Sequence, residues 1–241
     1  MRRKLLPLFS LSLTLSMPFP VLALGMMGNG DMKTELRSTA AFHAIDMAGV
    51  GKLHVERGPS PRVEVRLDSN LLSHYVSESR DGILRLGFEP GFAVGRVTDL
   101  EVKVTIPELD RLSLSGATEA EIGKGFSGGA LAVKISGAGS IKGTIDYSSL
   151  RTDISGAGNA VFTGKASSLR VGISGSGDFN GKDLALDEAT IEVSGSGEVQ
   201  IRAKRHLEVS VSGAGSVRYW GDPVVKQRIS GAGSVKRVGG L

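Results

Sequence analysis

The stretch Ser136-Gly137-Ala138-Gly139-Ser140 decides the fold, because the chain repeats it with small changes to give seven copies. From the first serine of one copy to that of the next, the spacing is 21, 19, 19, 20, 18 and 18 residues. A nearly fixed period of this length is typical of proteins in which one supersecondary unit stacks on copies of itself. The leading serines are Ser115, Ser136, Ser155, Ser174, Ser194, Ser212 and Ser230.

The residues on either side of each copy indicate what the repeating unit is. Before the serine, residues 131–135 and 169–173 alternate between apolar and polar or small side chains. Five places after the serine, an apolar residue such as Ile141 or Phe179 follows the turn. Alternation with a period of two indicates a β-strand that buries one face. Each unit is therefore predicted to be a strand, a glycine turn, a second strand and a loop.

One such unit cannot bury its own apolar face, so the units must stack. We predict an all-β fold, a single-chain parallel β-solenoid with turns of 18–21 residues, in which neighbouring strands lie about 4.8 Å apart. Identical corners stacked at this spacing leave little room for a β-carbon, and a sharp corner favours a positive φ. Both demands explain the corner glycines, and we expect Gly158 and its equivalents to have positive φ.

The ends of the chain are predicted to differ from the repeat. Residues 1–25 have the pattern of a secretory signal peptide: three cationic residues, an apolar run and Ala23 or Gly25 at a cleavage site. An uncleaved membrane anchor is the alternative, but three prolines interrupt the run, and no integral membrane segment is expected after cleavage. Residues 26–39 show no pattern and are predicted to be a flexible leader.

Residues 40–110 alternate like the repeat but lack its serine-glycine corner. Residues 75–80 and 83–88 flank Asp81-Gly82, a strong signal for a two-residue β-hairpin. We predict that residues 40–110 form a β region that caps the seven-rung solenoid of residues 111–238, with an independent small β-domain as the alternative. At the other end, Lys236 and Arg237 either protect the edge of the last rung or lie in a homo-oligomer contact.

Composition excludes several classes of function. The chain has no cysteine, so it holds no disulfide, thiolate metal site or cysteine nucleophile. Removing residues 1–25 takes away three cations and no acid, so the net charge falls from +4 to about +1. A nucleic-acid partner is therefore not expected. The four histidines are scattered without the spacing of metal ligands, and no cofactor or metal is predicted.

Three sequence features could carry chemistry. Residues 125–129 match the nucleophile pattern G-x-S-x-G, but strands rather than a helix follow, which favours a plain inter-rung loop. Asp178 and Glu198 occupy equivalent places in neighbouring rungs, where two carboxylates could cleave a glycoside, bind Ca²⁺ or be a solvent-facing pair. Tyr219 and Trp220 are candidates for stacking on a sugar or for packing at the end of the solenoid.

The repeat also resembles a known family. The S-G-A-G corner, residues 107–117 (PELDRLSLSGA) and residues 212–221 (SGAGSVRYWG) are similar to the head GIN domain family of auto-transporter adhesin heads, over about residues 40–238. The resemblance implies an exported bacterial β-solenoid at the cell envelope and supplies no catalytic residues.

These observations lead to two functional hypotheses. The first is a non-enzymatic module, exported to the periplasm or cell surface, that binds an envelope protein or glycan or has a structural role. The second is a carbohydrate-active enzyme that uses Asp178 and Glu198. The first follows from a scaffold in which no group of residues converges on one reactive centre.

Overall fold

The computed structural model describes residues 25–240 and consists almost entirely of β-strands. The predicted signal peptide lies, except for Gly25, outside these residues. The strands are β1 (Met26–Met27), β2 (Met32–Arg37), β3 (Ala44–Arg57), β4 (Arg62–Asp68), β5 (Tyr75–Arg80), β6 (Ile83–Phe88), β7 (Val94–Arg96), β8 (Glu101–Ile106), β9 (Arg111–Gly137), β10 (Ser140–Gly156), β11 (Asn159–Gly175), β12 (Asp178–Gly195), β13 (Glu198–Gly213), β14 (Ser216–Trp220), β15 (Val224–Gly231) and β16 (Ser234–Gly239).

The fold is a parallel β-solenoid, which confirms the predicted fold class. In each of β10, β11, β12 and β13, one continuous strand bends to make most of a turn of the solenoid. β11 shows the pattern: its inner residues are at most 3% exposed, and its bend lies at Gly164, where φ is +104°. The inner residues of β11 are Ala160, Phe162, Ala166, Leu169, Val171 and Ile173.

Successive turns stack in strict register at the serine corner. Ser155 pairs with Ser136 on one side and with Ser174 on the other, and the glycines that follow them pair likewise. The backbone continues the ladder through the corner, since the Ala157 amide donates to the Gly137 carbonyl at 2.9 Å. The corners therefore lie above one another, and each turn is held by its two neighbours.

Only the first glycine of each corner has a positive φ. It lies between +100° and +130° at Gly156 and its six equivalents. The expectation of a positive φ at Gly158 is wrong, because the sharp change of direction is complete one residue after the serine. Gly158 is needed for space instead: a β-carbon there would lie 2.5 Å from Cγ2 of Ile135 and 2.9 Å from the Gly139 carbonyl oxygen.

The column of corners extends further towards the N-terminus than the serines do. Ala48 pairs with Ser115 and Gly49 with Gly116, and Gly49 has a φ of +106°. Residues 40–110 therefore lack the serine, as the sequence indicated, but still contain a corner of the same kind, because the turn requires the glycine and not the serine. The seven serine corners themselves bound about six complete turns.

Residues 40–110 continue the same sheet beyond this corner. On the side of β3 away from β9, β6 pairs with residues 44–47 and β8 with residues 52–57, both in parallel. β5 then pairs antiparallel with β6, and β4 antiparallel with β8. The hairpin of β5 and β6 turns through Asp81 and Gly82, both with positive φ, as predicted. The stack thus ends in antiparallel strands.

The segment predicted as a flexible leader contains two strands. β2 pairs antiparallel with β4 along its whole length, and β1 pairs with β7. β2 was not predictable from the sequence, because backbone pairing holds it while most of its side chains face solvent, Leu36 being 64% exposed. Asp68, which is fully buried, accepts hydrogen bonds from the Gly30 amide at 2.8 Å and the Thr98 amide at 2.9 Å. It thus connects the loop before β2 with the loop after β7.

One continuous hydrophobic core fills the solenoid and its N-terminal strands. Phe162 and Phe179 lie next to each other on neighbouring turns, with their ring centroids 6.2 Å apart and their planes tilted by 34°. Thr152 is a polar residue in this apolar core, where its register partners on the neighbouring turns are Val133 and Val171. Its buried hydroxyl has no hydrogen-bond partner within residues 25–240. No helix in this part of the chain is long and apolar enough to cross a membrane.

Candidate functional site: a groove along the serine corners

The outer surface of the strand segments that lead into the corners forms a long open groove, which we call the serine groove. Its walls are the corner serines and the residues two places before them, which the register aligns in two parallel columns. One part has a volume of about 490 Å³ and runs from Lys134 to Ser212. A second part of about 640 Å³ begins at the β5–β6 hairpin and also includes Lys134, which joins the two.

The corner serines line this groove with hydroxyl groups that the chain itself does not use. Ser155, Ser174, Ser194 and Ser212 are all exposed. Within residues 25–240, the serine hydroxyls that form hydrogen bonds are those of other serines, at positions 69, 79 and 149. Because Ala48 replaces the serine at the same kind of corner, the hydroxyl is not required for the turn. These hydroxyls are therefore free to bind a ligand.

The carboxylates of the groove are already neutralised. Asp153 accepts a hydrogen bond from Arg151 at 2.7 Å, and Glu192 accepts one from Arg170 at 2.7 Å. Gly172 separates the two carboxylates, since it pairs with Asp153 on one side and Glu192 on the other. Its missing side chain keeps the floor of the groove open between them. The groove thus offers hydroxyls, guanidinium groups and paired carboxylates along its length.

Asp178 and Glu198 lie on neighbouring turns, as the sequence indicated, but each has a contact within the chain. They are register partners, and Oδ1 of Asp178 accepts a hydrogen bond from the Glu198 amide at 3.0 Å. The Glu198 carboxylate binds Arg218 at 2.8 Å and also accepts a hydrogen bond from Gln200. Both residues lie after the corner and outside the lining of the serine groove.

Tyr219 and Trp220 are adjacent in β14 and do not form one flat platform. Consecutive residues of a strand face opposite sides, and Tyr219 is partly buried against the hydrophobic core. Trp220 is also partly buried, and a β-carbon at Gly239 of the last strand would lie 3.3 Å from its ring. Their surroundings fit packing at the end of the solenoid.

The remaining sequence motifs also have structural surroundings. Residues 125–129, the G-x-S-x-G match, lie within β9, and a strand follows them. No group of three or more histidines, aspartates and glutamates within residues 25–240 is arranged to hold a metal ion.

The last turn of the solenoid differs from the others in what it exposes. Ile229 is 40% exposed, whereas its register partner on the preceding turn, Val211, is buried. Val224 is 71% exposed and pairs with His206, which is also exposed. Arg237 covers part of this end by donating a hydrogen bond to the Gly221 carbonyl and pairing with Asp222 at 3.3 Å. The protection of this edge by Lys236 and Arg237 and the alternative of a homo-oligomer contact both stay predictions.

A family model matches residues 41–223, which include the corners from Gly49 to Gly213. The family is described as "Putative auto-transporter adhesin, head GIN domain". The chain belongs to this head GIN domain family. The match spans most of the chain and confirms the resemblance seen in the sequence. No curated protein sequence matches this chain.

Solved structures share the head GIN fold. A putative adhesin from Bacteroides fragilis superposes with a TM-score of 0.83 at 20% identity, over 89% of this chain and 100% of its own. A putative lipid binding protein from Parabacteroides distasonis gives 0.71 at 22% identity, over 88% and 99%. A putative adhesin from the same organism gives 0.69 at 26% identity, over 89% and 100%.

Sequence reasoning missed the part of this head GIN domain where the groove is widest. The cleft beside the β5–β6 hairpin contains Arg85, Phe88 and Glu78, none of which stood out in the sequence. The hairpin itself was predictable from Asp81-Gly82. Its position next to the serine column was not, because that depends on the parallel pairing of β6 with β3, about forty residues earlier in the chain.

Proposed function

We propose that this head GIN domain is an exported, non-enzymatic binding module of the bacterial cell envelope, in the periplasm or at the cell surface, and that it holds an extended glycan in the serine groove. Membership of a family described as adhesin heads supports an adhesion-like role. The observation that carries the proposal is the column of corner serines, whose hydroxyls are exposed, aligned and unused by the chain.

The shape and chemistry of the groove favour a glycan over a protein partner. Seven layers of strands at about 4.8 Å give a groove roughly 30 Å long, which suits a linear polymer. Over most of this length the exposed side chains of its walls carry hydroxyl groups and ion pairs, which match the hydroxyls of sugars, while Ile154, Ile173 and Val193 lie beneath them. Protein interfaces usually have a buried core of aromatic and aliphatic anchors, and the segment from Lys134 to Ser212 has no aromatic lining residue.

The proposal that the domain is not an enzyme rests on the surroundings of its carboxylates. Asp178 accepts a hydrogen bond from a backbone amide and Glu198 is paired with Arg218. Asp153 and Glu192, which do face the groove, are each paired with an arginine. A glycosidase needs two carboxyl groups that flank one scissile bond, whereas each of these four is engaged in its own contact within the chain.

The test is to block the groove with a large side chain and measure binding to envelope polysaccharides. Ser155→Trp fills the groove, whereas Ser127→Trp places the same side chain on an exposed strand position outside it. By isothermal titration calorimetry, we expect Ser155→Trp to weaken binding at least tenfold and Ser127→Trp to leave it unchanged. Equal binding by both variants, or sugar release by the unmodified domain, would overturn the proposal.

A further inference from the structure

The wide end of the serine groove differs from the rest in its charge and in its apolar wall. This cleft of about 640 Å³ lies between the β5–β6 hairpin and the first corners of the solenoid. Val76, Phe88 and Pro90 line one side, while Ser113, Ser115 and Ser136 line the other. It is the place in the groove where a ring can pack on an aromatic side chain while hydroxyls face it.

Two cations in this cleft have no acidic partner within residues 25–240. Arg85 and Lys134 are both exposed, and no carboxylate of that range lies within 4.0 Å of either. The other charged residues of the groove lining near them are acids, Asp46 and Glu78 in the cleft and Asp153 in the part beyond Lys134. The two cations therefore face the cleft without a salt bridge.

Each of those three acids has an arginine of its own. Asp153 is held by Arg151 at 2.7 Å, and Glu78 lies 3.5 Å from Arg80. Asp46 lies 4.0 Å from Arg111. Asp46 and Glu78 are also the register partners of Arg85 on its two sides, but neither forms a salt bridge with it. Because each of these acids lies beside another arginine, Arg85 and Lys134 offer an anion two partners in the cleft.

We propose that the cleft selects acidic glycans. A carboxylate-bearing sugar unit binds Arg85 and Lys134 through its anion and packs its ring on Phe88. The corner serines beyond the cleft then bind the hydroxyls of the following sugar units. This inference rests on the proposed function, because it assigns the charge of the glycan that the serine groove holds.

The observations favour an acidic glycan over an acidic lipid surface, which is a different kind of anionic ligand. A lipid chain needs an apolar path leading away from the charged group. From Lys134 onwards the groove continues instead past the side chains of Asp153, Ser174 and Glu192, which are polar. Ile154, Ile173 and Val193 also line this part, but each is only 2% exposed. The apolar wall at Val76, Phe88 and Pro90 is long enough for one ring and ends where the solenoid corners begin.

The experiment compares acidic polysaccharides with their carboxyl-reduced forms, in which each carboxylate becomes a hydroxymethyl group. Alginate, polygalacturonate and hyaluronan are the probes, and vesicles containing phosphatidylglycerol are included as the lipid probe. The cleft variant is Arg85→Gln combined with Lys134→Gln. The matched control is Lys124→Gln combined with Lys165→Gln, which removes two exposed cations outside the cleft.

We expect binding to at least one acidic polymer and a loss of about tenfold or more on carboxyl reduction, as for the removal of a charge-assisted hydrogen bond. The cleft variant shows the same loss, and the control variant binds as the unmodified protein does. Far-UV circular dichroism and the melting temperature of both variants check that they are folded.

Three results would overturn this inference. The first is equal binding to the reduced polymers, blocked by Ser155→Trp, which would leave the proposed function standing with a neutral glycan. The second is equal loss in both double variants, which would indicate unspecific charge attraction. The third is binding to the vesicles alone through Arg85 and Lys134, which would identify a lipid ligand. Binding to no probe at all would contradict the inference and the proposed function together.

Discussion

The Gly156 α-carbon lies so close to the carbonyl oxygen of Gly137, on the turn before, that a β-carbon at Gly156 would come within 2.5 Å of that oxygen. Gly156 also has a φ of +116°. The corner therefore excludes a side chain twice, by its conformation and by the approach of the neighbouring backbone. Six corners of the solenoid repeat this relationship with the corner before them.

Gly156→Ala is expected to lower the free energy of unfolding by about 2–4 kcal/mol, because it combines an unfavourable φ with a contact against backbone that cannot move away. Gly129→Ala is the control, since a β-carbon there meets no atom within 4 Å. Guanidinium chloride unfolding of both variants is the measurement. Similar midpoints for the two alanine variants would contradict the stacked-corner geometry.

Thr152→Val is expected to stabilise the protein by about 1 kcal/mol, because it removes a buried hydroxyl without a hydrogen-bond partner and keeps the side chain's shape. Thr118→Val is the matched comparison. The Thr118 side chain is equally buried, but its hydroxyl donates to the Gly49 carbonyl at 3.3 Å. Thermal unfolding should show a rise in Tm for Thr152→Val and none for Thr118→Val. A fall for both variants would mean that the Thr152 hydroxyl is satisfied in solution.

Two buried tyrosines allow a similar comparison. The Tyr147 hydroxyl donates to the Leu109 carbonyl at 2.6 Å, which joins the solenoid to the segment before β9. Burial, assisted by the negative charge of Asp110, raises the pKa of Tyr147 to about 12. Burial also raises the pKa of Tyr75, whose hydroxyl has no partner within residues 25–240.

Tyr147→Phe should therefore cost about 1–2 kcal/mol of unfolding free energy, since it leaves a buried carbonyl unpaired, while Tyr75→Phe should cost nothing or stabilise slightly. Urea unfolding at pH 7, where both tyrosines are neutral, measures the two effects. A larger loss of unfolding free energy for Tyr75→Phe than for Tyr147→Phe would contradict this expectation and show that the Leu109 carbonyl accepts a hydrogen bond from another donor.

Asp68 is expected to make stability depend on acidic pH. Burial by itself would raise the pKa of its carboxyl group, but hydrogen bonds from Thr98 and Gly30 to the carboxylate hold the pKa below its ordinary value. Because the pKa is lower in the folded state than the value of about 3.9 in the unfolded chain, the stabilisation is complete above about pH 4. It is lost as the pH falls through the folded-state pKa.

Asp68→Asn should therefore unfold at lower urea concentration than the unmodified protein at pH 7, and the difference should shrink below about pH 4. Ser69→Ala is a control for loss of a polar contact in the same loop, because it removes the hydroxyl that Asn29 binds. Its effect should not change over this range of pH. A constant difference for Asp68→Asn from pH 7 to pH 3 would contradict the assignment.

The repeat could be predicted from sequence because one physical requirement recurs at a fixed spacing. A positive φ and a close backbone approach select glycine at positions such as Gly137 and Gly156, and burial selects apolar residues at alternating places before them. These constraints are local, and they leave the same pattern of residues in each of the seven copies of the motif. The serine that marks the motif turned out not to be one of these constraints, as Ala48 demonstrates.

The N-terminal strands and the cleft were harder to predict because long-range pairing determines them. β2 pairs with β4 across about thirty residues of chain and buries almost nothing, so its sequence has no apolar alternation. Arg85 faces the groove because β6 pairs with β3, which a single sequence does not reveal. The pairing of Asp178 with Glu198 was predictable from the repeat, whereas their contacts with the Glu198 amide and Arg218 required side-chain positions.

The two ends of the solenoid differ in how they are covered, and this difference determines the order in which its turns unfold. Every inner turn has a neighbour above and below, but the turn formed by β15 and β16 has one neighbour, and Val224, Ile229 and Val238 remain in contact with water. Peptide amides of this turn should exchange with deuterium first, and those of successive turns progressively later towards the antiparallel strands at the other end. The domain would then unfold turn by turn in one direction, starting at the turn formed by β15 and β16.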